Sequence, residues 1–290
     1  MVDIIQGAKD DIYLFSTIVS TSGYYWEDEI DKEFFHSPED VDGITGPIIL
    51  AKPETREYRA IYPLQDYPTL FTEFARVEPN LNGIIDFTNK YGLIVGEYLT
   101  YYHSPIGESS ESFNLWEKNI LVMKEAVELW EAIKNEDITT LSKFVKWISY
   151  SNMDNWPTCF SPSTGQPFYR SLIIAPHHSA FRRIVTGDLL LPARIFLKEI
   201  ININMQKHPT KVQLHLTADN KIIQNFIPKN LLSAMWFQFS QALTGEKKFK
   251  RCIHCGKWED VTDKKATWKG HPECGNRARV KKASLKKAGE

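Results

Sequence analysis

Long apolar runs are missing from this 290-residue sequence: no stretch reaches the roughly 18 consecutive apolar residues that a membrane-spanning helix needs. The opening residues Met1-Val2-Asp3-Ile4-Ile5-Gln6 also lack the basic-then-apolar order of a secretory signal. Both absences point to a cytoplasmic protein that does not touch membranes. Glycine and proline are sparse, at 15 each, which excludes fibrous and low-complexity chains. Cysteine is scarcer still, and three of the four (Cys252, Cys255, Cys274) crowd near the end of the sequence, leaving Cys159 alone. That distribution favours a metal over disulfides in a reducing compartment. No glycine-rich phosphate loop and no nucleophile elbow occur, since Gly23, Gly43 and Gly46 form no recognised pattern. No enzyme is expected on those grounds.

Net charge is nearly absent too, and here the total misleads. The formal value of -1 averages two unlike regions. Residues 247–290 carry 14 Lys/Arg against five acids, a net of +9, whereas residues 1–246 keep 21 bases and 31 acids, a net of -10. Asymmetry of this kind marks an interaction tail on a folded body. With 42% hydrophobic and 12% aromatic residues, the body can bury a sizeable core as one large domain or two.

The periodicity of that body is mostly helical. Ile12 to Val19 suits a strand, and Glu27 to Asp42 is acidic and irregular. Leu70, Phe71, Phe74 and Ala75 form one helical stripe and Leu81, Ile84, Ile85 and Phe87 another, joined at Glu78-Pro79-Asn80. The clearest helix runs from about Asn114 to Lys134, with Trp116, Ile120, Met123, Val127 and Trp130 on its apolar face. A second follows Asn135-Glu136-Asp137, its stripe being Leu141, Phe144, Val145 and Ile148, so the two form a helical hairpin. Residues 150–170 read as a long loop, and Pro192 as the first residue of a helix that continues to about Met205. Val212, Leu214 and Leu216 alternate with polar residues as in a half-buried strand, paired with Ile222 to Ile227. An apolar helix then opens after Pro228-Lys229-Asn230 and ends at Gly245. The expected fold class is mainly α (α+β): a helical body over residues 1–245 with minor β-hairpins, and a small metal module over residues 246–290.

The module carries the strongest chemical signal. Cys252-Ile253-His254-Cys255 and His271-Pro272-Glu273-Cys274 give C-x2-C-x15-H-x2-C. Two residues between ligands let both side chains of a tight turn reach one ion, and the intervening stretch is expected to form a small hairpin that returns the second pair. Four nitrogen and sulfur ligands without a carboxylate fit one closed, structural Zn2+ site at Cys252, Cys255, His271 and Cys274. His254 is the alternative fourth ligand, although inside the first knuckle its side chain normally points away. So small a module has almost no apolar core, so metal binding should fold it, with Trp258 and Trp268 packing over it.

Cys274-Gly275-Asn276-Arg277, with Cys252-x2-Cys255-Gly256-x-Trp258 and Trp268 ahead of it, resembles the CGNR zinc fingers over about 35 residues. Pro228 to Trp236 is more loosely similar to the helix that leads into that finger. The resemblance implies a C-terminal finger of a bacterial protein, often behind an ABATE domain, in a family described as stress-related transcription regulators. Family members usually have a cysteine directly after the tryptophan. Lys269 stands there in this sequence, so His271 is the replacement ligand. A treble-clef-like finger opens a helix at its last ligand pair, which makes Gly275 to about Lys287 helical. On such a helix Arg279, Lys282 and Lys286 share a face, with Arg277 and Lys281 on another, a surface suited to phosphates.

The expectation is therefore a DNA-binding transcription regulator whose body senses a ligand or forms a homodimer. Its alternatives are a protein-interaction or defence-related adaptor with a structural zinc module, and an RNA-binding protein. The basic tail could equally dock on the acidic body of its own molecule. One polar cluster and one cysteine could be imagined as catalytic. His177-His178-Ser179 with Arg182, Arg183 and Asp188 reads as a surface or helix-start feature, and Cys159 as a buried small side chain. The aromatics Tyr24-Tyr25-Trp26, Tyr98 and Tyr101-Tyr102 are explained by core packing as well as by a ligand pocket.

Overall fold

The computed structural model describes residues 16–27, 46–53, 57–96, 110–149, 155–168, 183–216, 220–245, 248–255, 257–262, 270–272 and 274–275. The chain begins with β1 (Thr17–Ser20), β2 (Tyr24–Glu27), β3 (Ile48–Ala51) and β4 (Tyr58–Ile61), followed by α1 (Pro63–Asp66), α2 (Leu70–Phe74) and α3 (Leu81–Tyr91). A short β5 (Glu111–Ser112) leads into α4 (Phe113–Asn135), then α5 (Ile138–Phe144), β6 (Val145–Ser149) and β7 (Asn155–Cys159). The remaining elements are α6 (Leu190–Lys207), β8 (Thr210–Leu216), β9 (Ile222–Pro228), α7 (Leu231–Thr244), β10 (Phe249–Arg251) and β11 (Trp258–Asp260). All pairing among these strands is antiparallel: β1 with β4, β3 between β2 and β5, and the hairpins β6–β7, β8–β9 and β10–β11. The architecture is mixed α+β, with helices forming the core and small sheets around it. Among the described residues no helix is long and apolar enough to cross a membrane.

Local sequence sets the helix boundaries. The first backbone N–H groups of a helix have no partner within it, and short polar side chains satisfy them. Asn80 accepts from Gly83 N, Ser112 from Leu115 N, Asp137 from Thr140 N and Asn230 from Ser233 N, which fixes the starts of α3, α4, α5 and α7. At the other end of α7, Gly245 takes a left-handed φ of 79°, the conformation that releases a chain from a helix without strain on a Cβ.

The centre of the core is an aromatic cluster contributed by three helices and one strand. Phe71 of α2 stacks on Phe239 of α7 with ring centroids 4.9 Å apart, Trp130 of α4 meets Phe239 edge-on at 5.6 Å, and Phe249 of β10 closes on Phe71 at 6.0 Å. Buried polar groups are tied in beside it. The Gln238 amide of α7 donates to the carbonyls of Pro63 and Tyr67, both at 2.9 Å, which joins the turn around α1 to the central helix.

Four expectations need correction. The stripe over Leu141, Phe144, Val145 and Ile148 does not belong to one helix: α5 ends at Phe144 and Val145 begins β6. The reading of residues 150–170 as a loop misses β7, which pairs with β6 from Val145 opposite Cys159 onward. Pro192 is the third residue of α6, not the first, because Asp188 Oδ1 already accepts from Leu190 N at 2.9 Å. Finally, β8 and β9 pair as expected, but Val212, Leu214 and Leu216 are exposed, Leu214 at 75%, so the alternating face is not half-buried.

Candidate metal centre

The centre is built at the tip of the β10–β11 hairpin. Phe249 pairs with Asp260 and Arg251 with Trp258, Val261 N donates to Lys248 O at the base, and Cys252 N donates to Lys257 O at the tip. Cys252, Ile253, His254 and Cys255 occupy the turn between the strands. The hairpin therefore encloses the first ligand pair; the hairpin expected between the two pairs falls largely on residues 263–269, outside the described residues. The second pair arrives on a helical turn, in which Gly275 N donates to His271 O at 3.1 Å.

Three thiols and one imidazole converge. The ligand atoms of Cys252, Cys255, His271 and Cys274 all lie within 4.8 Å of one another. His271 Nδ1 is 3.5 Å from Cys255 Sγ and 3.7 Å from Cys274 Sγ. In a tetrahedron with metal–sulfur bonds near 2.3 Å and a metal–nitrogen bond near 2.0 Å, the sulfur and nitrogen would stand about 3.5 Å apart. The group thus fits a single four-coordinate metal ion in which every position comes from the protein. Of the two candidate histidines for the fourth place, His271 is in the group, whereas His254 is exposed and outside it.

Electrostatics prepares the same atoms. Burial alone would raise the Cys252 thiol, but the backbone N–H groups of Cys255, His254 and His271 aim at its sulfur and bring it down to about 6. Cys274 moves the opposite way, to about 11, because its proton is held by the Cys255 sulfur, with burial adding to the shift. For His271, burial favours the neutral ring, while the Glu259 carboxylate and then the Cys255 and Cys252 sulfurs outweigh it and raise the value. A metal ion among these ligand atoms would favour the thiolate forms of its sulfur ligands.

Two further residues shape the centre, and neither is visible in the ligand spacing. Glu259 Oε2 lies 3.0 Å from His271 Nε2, on the ring edge away from the sulfurs. A Cβ on Gly270 would lie 2.9 Å from Cys252 Sγ and 3.3 Å from His254 Cδ2. Glycine there lets the incoming chain pass against the knuckle.

The other face of the hairpin is fixed to α4. Trp258 stacks on Trp130 at 4.9 Å, its Nε1 donates to Glu131 Oε1 at 3.2 Å, and Arg251 pairs with Glu131 Oε2 at 3.0 Å. Lys134 donates to Phe249 O at 3.2 Å and sits 5.0 Å above the Trp258 ring. Trp258, expected to pack over the module, lies under Arg251 and also joins the hydrophobic core of the body. Lys257 adds a longer-range link. Burial would raise the Glu73 carboxyl, but Tyr91, Lys90 and then Lys257 hold it below its ordinary value.

Trp268 and the basic residues Arg277, Arg279, Lys281, Lys282 and Lys286 lie outside the described residues, as do His177, His178, Ser179, Arg182, Tyr98, Tyr101 and Tyr102. Asp188, weighed for catalysis, serves the start of α6 and accepts Trp147 Nε1 on its backbone carbonyl at 3.1 Å. Cys159 is fully buried, and burial followed by the nearby Glu125 pushes its thiol well above the ordinary range, so it is held neutral. Tyr24 is a core residue whose hydroxyl accepts from Ser20 N at 3.1 Å.

No protein-family model matches this chain, and no curated protein or solved structure matches it.

Proposed function

We propose that the chain is a DNA-binding transcription regulator whose module, residues 246–290, is organised by one structural Zn2+. The observation that carries the reading is the convergence of Cys252, Cys255, His271 and Cys274 on one point. Thiolate-rich sites with one imidazole suit Zn2+, and a site with all four positions filled by protein suits a structural ion. The resemblance to CGNR fingers, carried by Cys274 to Arg277 and the preceding knuckle, supports the same assignment. In this proposal Zn2+ holds the knuckle against the turn at His271, and the body over residues 1–245 senses a ligand or forms a homodimer.

The nucleic-acid contact is assigned to Arg277, Arg279, Lys281, Lys282 and Lys286, which follow the last ligand directly in sequence. Lysine and arginine release condensed cations when they neutralise phosphates, so such binding weakens steeply with salt. The test is the salt dependence of binding to mixed-sequence duplex DNA and to RNA. Lys282→Glu combined with Lys286→Glu should reduce the slope of log K against log[salt] by about 2 for duplex DNA. No binding at low salt rejects the reading.

One observation favours a second reading. Arg251 and Trp258 of the module are already engaged by Glu131 of α4. In the adaptor alternative the zinc module is an internal brace, and the remaining basic residues meet a protein partner or the acidic body.

A further inference from the structure

A metal-binding histidine needs its ring turned the right way and its proton on the nitrogen opposite the metal. Left alone, a neutral imidazole exchanges between two tautomers and rotates about its side-chain bonds. Nδ1 of His271 faces the sulfurs of Cys255 and Cys274, while Nε2 faces the Glu259 carboxylate at 3.0 Å. A carboxylate only accepts, so it selects the tautomer with the proton on Nε2 and leaves the Nδ1 lone pair free for the ion.

Glu259 is itself held by the strand that carries it. In β11 successive side chains leave opposite faces of the hairpin. Trp258, the preceding residue, points into the body, where it stacks on Trp130 and donates to Glu131. Glu259, paired across the hairpin with Lys250, therefore points to the face where His271 lies. One strand connects the metal centre on one side to helix α4 on the other.

We infer that Glu259 is a positioning residue of the metal centre: it fixes His271 as an Nδ1 ligand, and through β11 it transmits to that ligand the rigidity of the Trp130–Glu131 segment of α4. The ion then meets a ring already turned and protonated for it, so less ordering accompanies binding. Removing the acceptor leaves four ligands but a freer histidine. Carboxylate partners of this kind typically contribute 10–100-fold to metal affinity. This inference rests on the assignment of Cys252, Cys255, His271 and Cys274 as the ligand set.

The test uses the full-length chain loaded with Co2+ or Zn2+. Affinity is read by competition with a chromophoric chelator, and geometry by the visible ligand-field and thiolate charge-transfer bands of Co2+. Glu259→Ala should bind 10–100-fold more weakly than the wild type. Glu259→Gln keeps an oxygen acceptor and should recover much of that loss. The unfolding midpoint of each metal-free variant shows whether the body remains folded. Long-range proton–nitrogen spectra of the zinc-loaded wild type give an independent reading, with His271 bound through Nδ1 and a slowly exchanging proton on Nε2. Affinity of Glu259→Ala within about twofold of wild type would overturn the inference, and so would zinc on Nε2. A wild type that binds neither ion rejects the ligand set itself, a distinct outcome.

Discussion

A methyl group at Gly270 would meet Cys252 Sγ at 2.9 Å, closer than real Cβ atoms come to their neighbours. Gly270→Ala must therefore push the incoming chain away from the knuckle or shift the Cys252 sulfur. Chelator competition should show at least a tenfold loss of metal affinity, since ligand geometry tolerates errors of only a few tenths of an ångström. Glu111 illustrates the same residue-level reasoning in the body. Burial raises its carboxyl to about 7, although the amides of Val95, Ile94 and Gly96 donate to it and pull the other way. A carboxyl raised in the folded state stabilises the fold below its ordinary value of 4.5, and that contribution is lost as pH rises through about 7. Urea unfolding at pH 5 and pH 7.5 should therefore show the wild type losing about 2 kcal/mol relative to Glu111→Gln, which cannot ionise. Neither Gly270, Glu111 nor Glu259 could be picked out in the sequence. Each acts through a neighbour distant along the chain or across a strand pair, whereas the Cys and His spacing is local and therefore legible.

At the scale of elements, the hairpin β10–β11 belongs energetically to the body. Trp258 is buried in the same cluster as Trp130 and Phe239. Trp258→Ala should lower the stability of the whole chain by about 3–5 kcal/mol in denaturant unfolding, the range for truncating a buried large aromatic. On β8 the opposite outcome is expected. Leu214 is 75% exposed, and Leu214→Thr should change stability by less than about 0.5 kcal/mol. The contrast explains which elements the sequence discloses. Helix α4 declares itself because its apolar stripe is long and regular from about Asn114 to Lys134, and the structure adds the Ser112 cap at its start. The alternation in β8 was equally clear, yet a period of two reports which side chains share a face and not whether anything covers that face. The α5–β6 boundary was hidden for a related reason: Phe144 and Val145 are both buried, so the apolar pattern runs through the change of structure without a break.

For the whole molecule, the net charge of -1 conceals an acidic body and a basic module. Part of that charge is used internally, where Arg251 pairs with Glu131 and Lys257 helps hold Glu73 ionised. The salt-slope experiment tests the proposed contact of the remaining bases with phosphates. The metal question comes before it, because in this account the ion joins the knuckle to the turn bearing His271 and Cys274. The most direct measurement is the metal content of the folded full-length chain, by native mass spectrometry together with thiol titration. The account predicts one zinc per chain, three thiols protected from modification until a chelator is added, and loss or marked weakening of the ion in Cys274→Ser. A fully folded chain without metal, whose Cys255 and Cys274 react freely from the start, would contradict it.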